Sequence, residues 1–205
     1  MLLRKQQRME QILLSLDKLG FATRHQLQQI HNLGTGRNAL EVLKRMGDYL
    51  HVKRHAPRNN VNVYYLNQKG RDLIGSEKER KYTLEIEHFL MRNDMYIHYG
   101  CPDDFQIERD VAFQSGLTQK IIRPDARFTK DGVIHFLEVD RTQNMTANKK
   151  KIATYAELSP LIAIQYKKCP IIIFYTSIAA RKDTIEKLCR AAKLNVDVKV
   201  PQEIN

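Results

Sequence analysis

The sequence predicts an α+β fold in two modules: a small helical module closed by a β-hairpin, then a larger α/β module with a mixed sheet flanked by helices. Three observations predict it. Apolar residues between Met9 and Met46 recur at helical spacing and then give way to strand alternation from Leu50 to Leu66. Asp131-Gly132, a two-residue hairpin signal, joins two apolar-rich runs. Ile171 to Tyr175 is a continuous apolar run between two helical patterns, as expected of a strand covered on both faces. At 205 residues, 42% hydrophobic, with 9 Gly and 6 Pro, the chain has enough apolar surface to fold and too little Gly and Pro for a low-complexity linker.

In the first module, Met9, Ile12, Leu13, Leu16 and Leu19 form one helix face, and Gly20 ends it. Thr23 with Gln26 makes a capping box for a short helix carrying Leu27 and Ile30, closed by Asn32 to Gly34. Thr35 caps a third helix that buries Leu40, Leu43 and Met46 and turns Arg37, Asn38, Glu41, Lys44 and Arg45 outward. Leu50 to Arg54 and Val61 to Leu66 form a hairpin around a polar stretch, with Arg58 at its tip.

Charge is unevenly placed. The net charge is +11, and residues 1–80 hold 15 Lys+Arg against 7 Asp+Glu, whereas 81–205 hold 19 against 16. Clustered cations suit a polyanion, because neutralising phosphates releases counterions. Three helices and a hairpin ending in Tyr64-Tyr65-Leu66-Asn67-Gln68-Lys69-Gly70-Arg71 resemble a winged helix-turn-helix over about residues 6–75. That resemblance implies that the third helix meets the major groove of double-stranded DNA and the hairpin meets the backbone, with Thr35, Arg37, Asn38, Lys44, Arg45 and Arg58 as contact residues. A homodimer reading paired half-sites is compatible with it. The expected domains are 1–76, a helical connector at 77–82, and 83–205.

In the second module a helix with Leu84, Ile86, Phe89 and Leu90 precedes a strand around Phe105 to Phe113. With Asp131 and Gly132 as the loop of the next hairpin, Lys130 pairs with Val133, so Asp125 lies opposite Glu138, and Asp140 shares the Glu138 face. Facing carboxylates need neutralisation. Two solutions stand. A divalent metal such as Mg²⁺ takes carboxylate ligands and activates water against a phosphodiester. Alternatively, cations satisfy the acids: the same register places Arg123 opposite Asp140 and Arg127 beside Asp125, and a helix from Asn148 brings Lys149 and Lys151 near. A last amphipathic helix with Ile185, Leu188 and Ala192 precedes a strand at Val196 to Val200.

Pro124-Asp125 on one strand and Glu138-Val139-Asp140 on the next resemble the PD-(D/E)xK nuclease-like fold, a restriction-endonuclease-like α/β domain. The resemblance implies Asp125 and Glu138 as metal ligands, joined by Glu87 from the helix and by Asp140. Asp140 stands where that fold family has its lysine, so catalysis would need Lys151 or Lys149 as substitute. The two modules together, with Glu138-Val139-Asp140-Arg141-Thr142 and Lys151-Ile152-Ala153-Thr154-Tyr155, resemble the bacterial replication-relaxation family. That family implies a plasmid or other mobile element as host and replication or relaxosome proteins as partners. The functions that follow are a DNA-binding accessory protein, a Mg²⁺-dependent endonuclease or nickase using Asp125, Glu138, Asp140 and Lys151, or a transcriptional repressor.

Other chemistries find no motif. Seven histidines form no His-hydrophobic-His triplet, and no GxxxxGK[ST] loop is present. Tyr64, Tyr65 and Tyr155 read as packing residues. Cys101, Cys169 and Cys189 suit inert thiols rather than a disulfide framework, and no apolar run reaches membrane-spanning length, which together imply a cytoplasmic protein without a membrane partner.

Overall fold

A computed structural model describes residues 2–115, 118–141 and 144–204. The chain is α+β and divides into two units, residues 1–97 and 98–205. Among the described residues, no helix is long and apolar enough to cross a membrane.

The first unit opens with α1 (Leu2–Leu19) and the short strand β1 (Ala22–Thr23). Next come α2 (Arg24–Ile30) and α3 (Gly36–Arg45). The hairpin strands β2 (Leu50–His55) and β3 (Val61–Leu66) lead into α4 (Gln68–Ile74) and α5 (Ile86–His98). Local chemistry sets the helix starts. Thr23 accepts from the Gln26 N–H while the Gln26 side chain accepts from the Thr23 N–H, closing the expected capping box. Thr35 caps α3 through the Asn38 N–H. Gly75, in the left-handed region at φ 67°, ends α4.

β3 lies between β1 and β2, antiparallel to both. Its two faces look at different helices. Tyr64 and Leu66 join Ile12, Leu16, Leu27 and Leu43 in one core, while Val63 and Tyr65 pack with Phe21, Ile86 and Leu90 in another. Each large side chain buried in this way contributes roughly 1.5–3 kcal/mol. α5 therefore belongs to the first unit, which corrects the expected division at residues 76 and 83. Buried polar groups secure it: the Arg92 guanidinium donates to the Leu19 carbonyl at 2.9 Å, and the Asn93 amide donates to the Phe21 carbonyl at 2.6 Å.

The expected helical connector at 77–82 is also corrected, because residues 76–83 form neither helix nor strand. Gly75 has stopped the preceding helix, and the segment is tied by side chains instead. Lys78 pairs with Asp17 at 2.8 Å, and the Tyr82 hydroxyl donates to the Arg54 carbonyl at 3.0 Å. The boundary alters the charge balance: 17 Lys+Arg against 10 Asp+Glu in residues 1–97, and 17 against 13 in 98–205.

The second unit contains β4 (Gln106–Ile107), β5 (Val111–Ser115), β6 (Thr118–Ile122), β7 (Ala126–Lys130) and β8 (Val133–Asp140). It continues with α6 (Met145–Tyr166), β9 (Ile171–Thr176), α7 (Lys182–Ala191) and β10 (Val196–Lys199). The main sheet is mixed, ordered β10-β9-β8-β7-β4, with β8, β9 and β10 mutually parallel. β5 and β6 form a separate antiparallel pair, so the expected single strand at 105–113 is two strands in different sheets, parted by a turn with Glu108 at φ 48°. The β7–β8 register is the one expected from Asp131-Gly132: Lys130 pairs with Val133 and Ala126 with Leu137. Both turn residues have positive φ, 54° and 69°, as a type I′ hairpin requires. Ile134, Phe136, Ile172, Phe174 and Val198 bury one sheet face against Ile152, Tyr155 and Leu158 of α6 and Ile185 of α7. Glu138 and Asp140 continue that face by the two-residue period, which brings them under the same helical layer.

Candidate functional site

In the first unit α3 carries exposed basic residues. Arg37, Lys44 and Arg45 are exposed on α3, because Ala39, Leu43 and Met46 take the opposite side inward. Among the described residues Lys44 pairs with Glu41 alone, at 3.5 Å on the surface, an ion pair of little energetic weight. Thr35 and Asn38 differ from the expected contact set. The Thr35 hydroxyl serves as the helix cap, and the Asn38 amide donates to the Leu33 carbonyl at 2.6 Å, so its hydrogen-bonding edge is already engaged in the turn before α3.

Arg58 departs further from expectation. It follows β2 in a short 3₁₀ turn, and its side chain folds back onto α5 rather than facing solvent. Nε donates to Glu87 at 2.8 Å and Nη2 to Asp94 at 2.7 Å, leaving the side chain 23% exposed. Burial opposes its charge, but Asp94 and Glu87 hold the guanidinium more firmly protonated than usual. His55 sits between the Tyr82 hydroxyl at 3.0 Å and Glu87 at 2.9 Å, and Gln26 donates to Asp94 at 2.6 Å. Glu87 is thereby committed inside the first unit, which corrects its assignment as a metal ligand beside Asp125 and Glu138. Two carboxylates one helical stretch apart attract a forked guanidinium more strongly than water does.

In the second unit Asp125 and Glu138 come within reach of each other's charge, with partners partly different from those expected. Asp125 begins the β7 ladder: its N–H donates to the Leu137 carbonyl at 3.0 Å, and its carboxylate accepts the Val139 N–H at 2.6 Å. Glu138, 2% exposed, accepts from Lys151 of α6 and, at 2.6 Å, from the Tyr155 hydroxyl. Burial first, then the nearby Asp125 charge, push the Glu138 carboxyl up to about 7, against the opposing pull of Lys151. Burial works against the Lys151 ammonium, yet Glu138 and Asp125 raise it above the ordinary lysine range. Burial and Glu138 together hold the Tyr155 phenol well above its ordinary value, in keeping with its role as hydrogen-bond donor to Glu138.

Asp140 is not paired with Arg123. It accepts from Thr176, its register partner on β9, at 3.0 Å and from Arg181 at 3.0 Å. Arg123 instead grips Asp110 at 2.6 Å on the surface, because it follows β6, which pairs with β5 outside the main sheet. Arg127 likewise donates to Gln106 at 2.8 Å. Lys149 is exposed. Thr142, part of the expected motif, lies outside the described residues.

The donors as arranged do not fit a divalent ion. Lys151 occupies Glu138, Arg181 occupies Asp140, and among the described residues no three His, Cys, Asp or Glu side chains come together as a metal-holding group. Two residues of this cluster escaped the reading of the sequence. Tyr155 carried a signal, since it stands four residues after Lys151 and so shares its helix face. Arg181 carried none, because the end of β9 and the loop beyond it set its position.

Comparison with known proteins gives one family. The model described as replication-relaxation matches residues 13–169, spanning parts of both units. No curated protein matches. Among solved structures, the crystal structure of protein VC1899 from Vibrio cholerae is similar, at 14% identity and a TM-score of 0.38, over 93% of this chain and 52% of that one. The chain therefore spans about half the length of that protein.

Proposed function

Because the chain belongs to the replication-relaxation family, we propose that it is a DNA-binding accessory protein for replication, relaxation or transfer of a plasmid or other mobile element. In this reading the first unit acts as a winged helix on duplex DNA. The observation that carries it is the exposed face of α3, where Arg37, Lys44 and Arg45 stand together with only one weak acidic neighbour among them. Such a face supplies charge to phosphates and donors to guanine. The second unit, with its acids held by Lys151, Tyr155 and Arg181, is a scaffold for replication or relaxosome partners. Replacing Arg37, Lys44 and Arg45 together with Ala should weaken duplex affinity and flatten its salt dependence, by ~0.9 in log–log slope for each phosphate that is no longer neutralised. Unchanged, salt-dependent binding by the folded triple variant would defeat this reading.

A Mg²⁺-dependent endonuclease would need Lys151 and Arg181 to release Glu138 and Asp140. Nicking of supercoiled plasmid by wild type in Mg²⁺, abolished in Glu138→Gln, would establish it over the binding reading. Repression of transcription uses the same α3 face, and a reporter fused to the element's own promoter separates it from replication.

A further inference from the structure

A cleft of about 350 Å³ opens in the first unit between the start of α2, α3 and the hairpin. Its walls combine Arg24, His25 and Arg58 with Leu40, Val61 and Tyr64, and no described carboxylate lines it. The two guanidinium groups differ in commitment. Arg58 is already held by Glu87 and Asp94. Arg24 is partly buried yet makes no hydrogen bond or ion pair among the described residues. A partly desolvated cation without an acid gives up hydration with nothing in return, and an anion entering the cleft would supply it.

The position of Arg24 is prepared by α3 itself. A Cβ built on Gly36 would fall 2.2 Å from Arg24 Nη1, so a side chain on the first residue of α3 would push the end of the arginine aside from where it now lies. The remaining walls say which kind of anion fits. Leu40, Val61 and the Tyr64 ring offer an apolar side too extensive for a small hydrated ion. A sugar-phosphate strand has both surfaces, a phosphate for the guanidinium and a deoxyribose for the apolar side. Arg37 stands exposed one residue beyond Gly36, so the exposed basic side of α3 begins beside the residue that Arg24 lies across.

We infer that this cleft seats one backbone segment of the bound DNA, with its phosphate on Arg24 and its sugar against Leu40 and Val61. The inference rests on the DNA-binding reading above and adds to it a site outside the α3 face. Arg24 is a binding residue here, and Gly36 positions it.

The test is fluorescence anisotropy with a labelled mixed-sequence duplex across a salt series, using the full chain. Arg24→Gln should lower affinity roughly tenfold and reduce the log–log salt slope by ~0.9, as expected for one neutralised phosphate. Arg24→Lys should restore most of the slope. Gly36→Ala is the second variant: it favours the helix, so the melting temperature should hold or rise, while pushing the end of Arg24 aside should lower affinity by less than Arg24→Gln does. If wild type binds with a steep salt dependence while folded Arg24→Gln and Gly36→Ala bind identically to it, the cleft assignment falls and the α3 reading stands. If wild type shows no duplex binding even at low salt, both fall together.

Discussion

Each unit has a glutamate held by cations, half-buried in the first and fully buried in the second, and the two are treated differently. Glu87, with its side chain 15% exposed, is met by a forked guanidinium and an imidazole, while Arg58 also grips Asp94. Glu138, at 2%, is met by one ammonium and a phenol while Asp125 adds like charge, and its carboxyl rises to about 7. The first arrangement locks the hairpin to α5. The second holds a carboxylate close to the edge of ionisation, where protonation and not geometry alone decides its charge. An acid gripped by a forked guanidinium is a fastening, whereas one fully buried beside another acid is pushed toward its protonated form.

The comparison breaks most sharply at Arg58. Arg58→Ala leaves Glu87 and Asp94 without their guanidinium, and the first unit should lose about 3 kcal/mol of unfolding free energy in urea. Adding Glu87→Gln and Asp94→Asn should recover much of it, because the uncompensated charges are removed as well. If Arg58→Ala alone leaves the urea midpoint where it was, the lock is not structural.

Glu138 gives an effect of similar size that depends on pH. Its folded value of about 7 lies above its ordinary 4.5, so folding favours the protonated form. The stabilisation is fully present below about 4.5 and is lost as pH rises through about 7, at ~1.4 kcal/mol per pH unit, or on the order of 3 kcal/mol in all. Glu138→Gln removes this dependence. The difference in unfolding free energy between wild type and Glu138→Gln should therefore drift in favour of the variant from pH 4.5 to 7.5, and a flat difference would contradict the raised carboxyl.

A smaller effect belongs to Tyr155→Phe, which takes one donor from a buried carboxylate and should cost about 1–2 kcal/mol near neutral pH. The destabilisation should shrink in a Glu138→Gln background, which a double-mutant cycle measures. The smallest belongs to Arg123. Its side chain is 64% exposed beside Asp110, so Arg123→Ala should leave the melting curve unchanged, in contrast to Arg181→Ala, which strands the buried Asp140.

Sequence and structure agree best where a signal and its consequence lie a few positions apart. The Thr23 and Thr35 caps depend on residues three positions on, and Asp131-Gly132 sets a register that the whole β7–β8 pair obeys. Lys151 meeting Glu138 also followed, once that strand and α6 were placed. The allegiance of α5 did not, although one clue was present: Val63 to Leu66 is an unbroken apolar run, which asks for cover on both faces of β3. Nor could the sequence show that Arg58 turns inward, since an arginine between two strands looks the same whether its anions are on DNA or on the next helix.

What the sequence determined by itself, then, is the capped helices of the first unit, the β2–β3 and β7–β8 hairpins and the covered strand β9, because propensity, capping and period act within a few residues. Tertiary structure alone decided which cation meets which acid: Arg181 rather than Arg123 at Asp140, Arg58 rather than a metal at Glu87. Those pairings lie 29 to 41 residues apart along the chain. Coulomb attraction and desolvation act through space, so their outcome depends on which side chains the packed helices and sheets bring within reach.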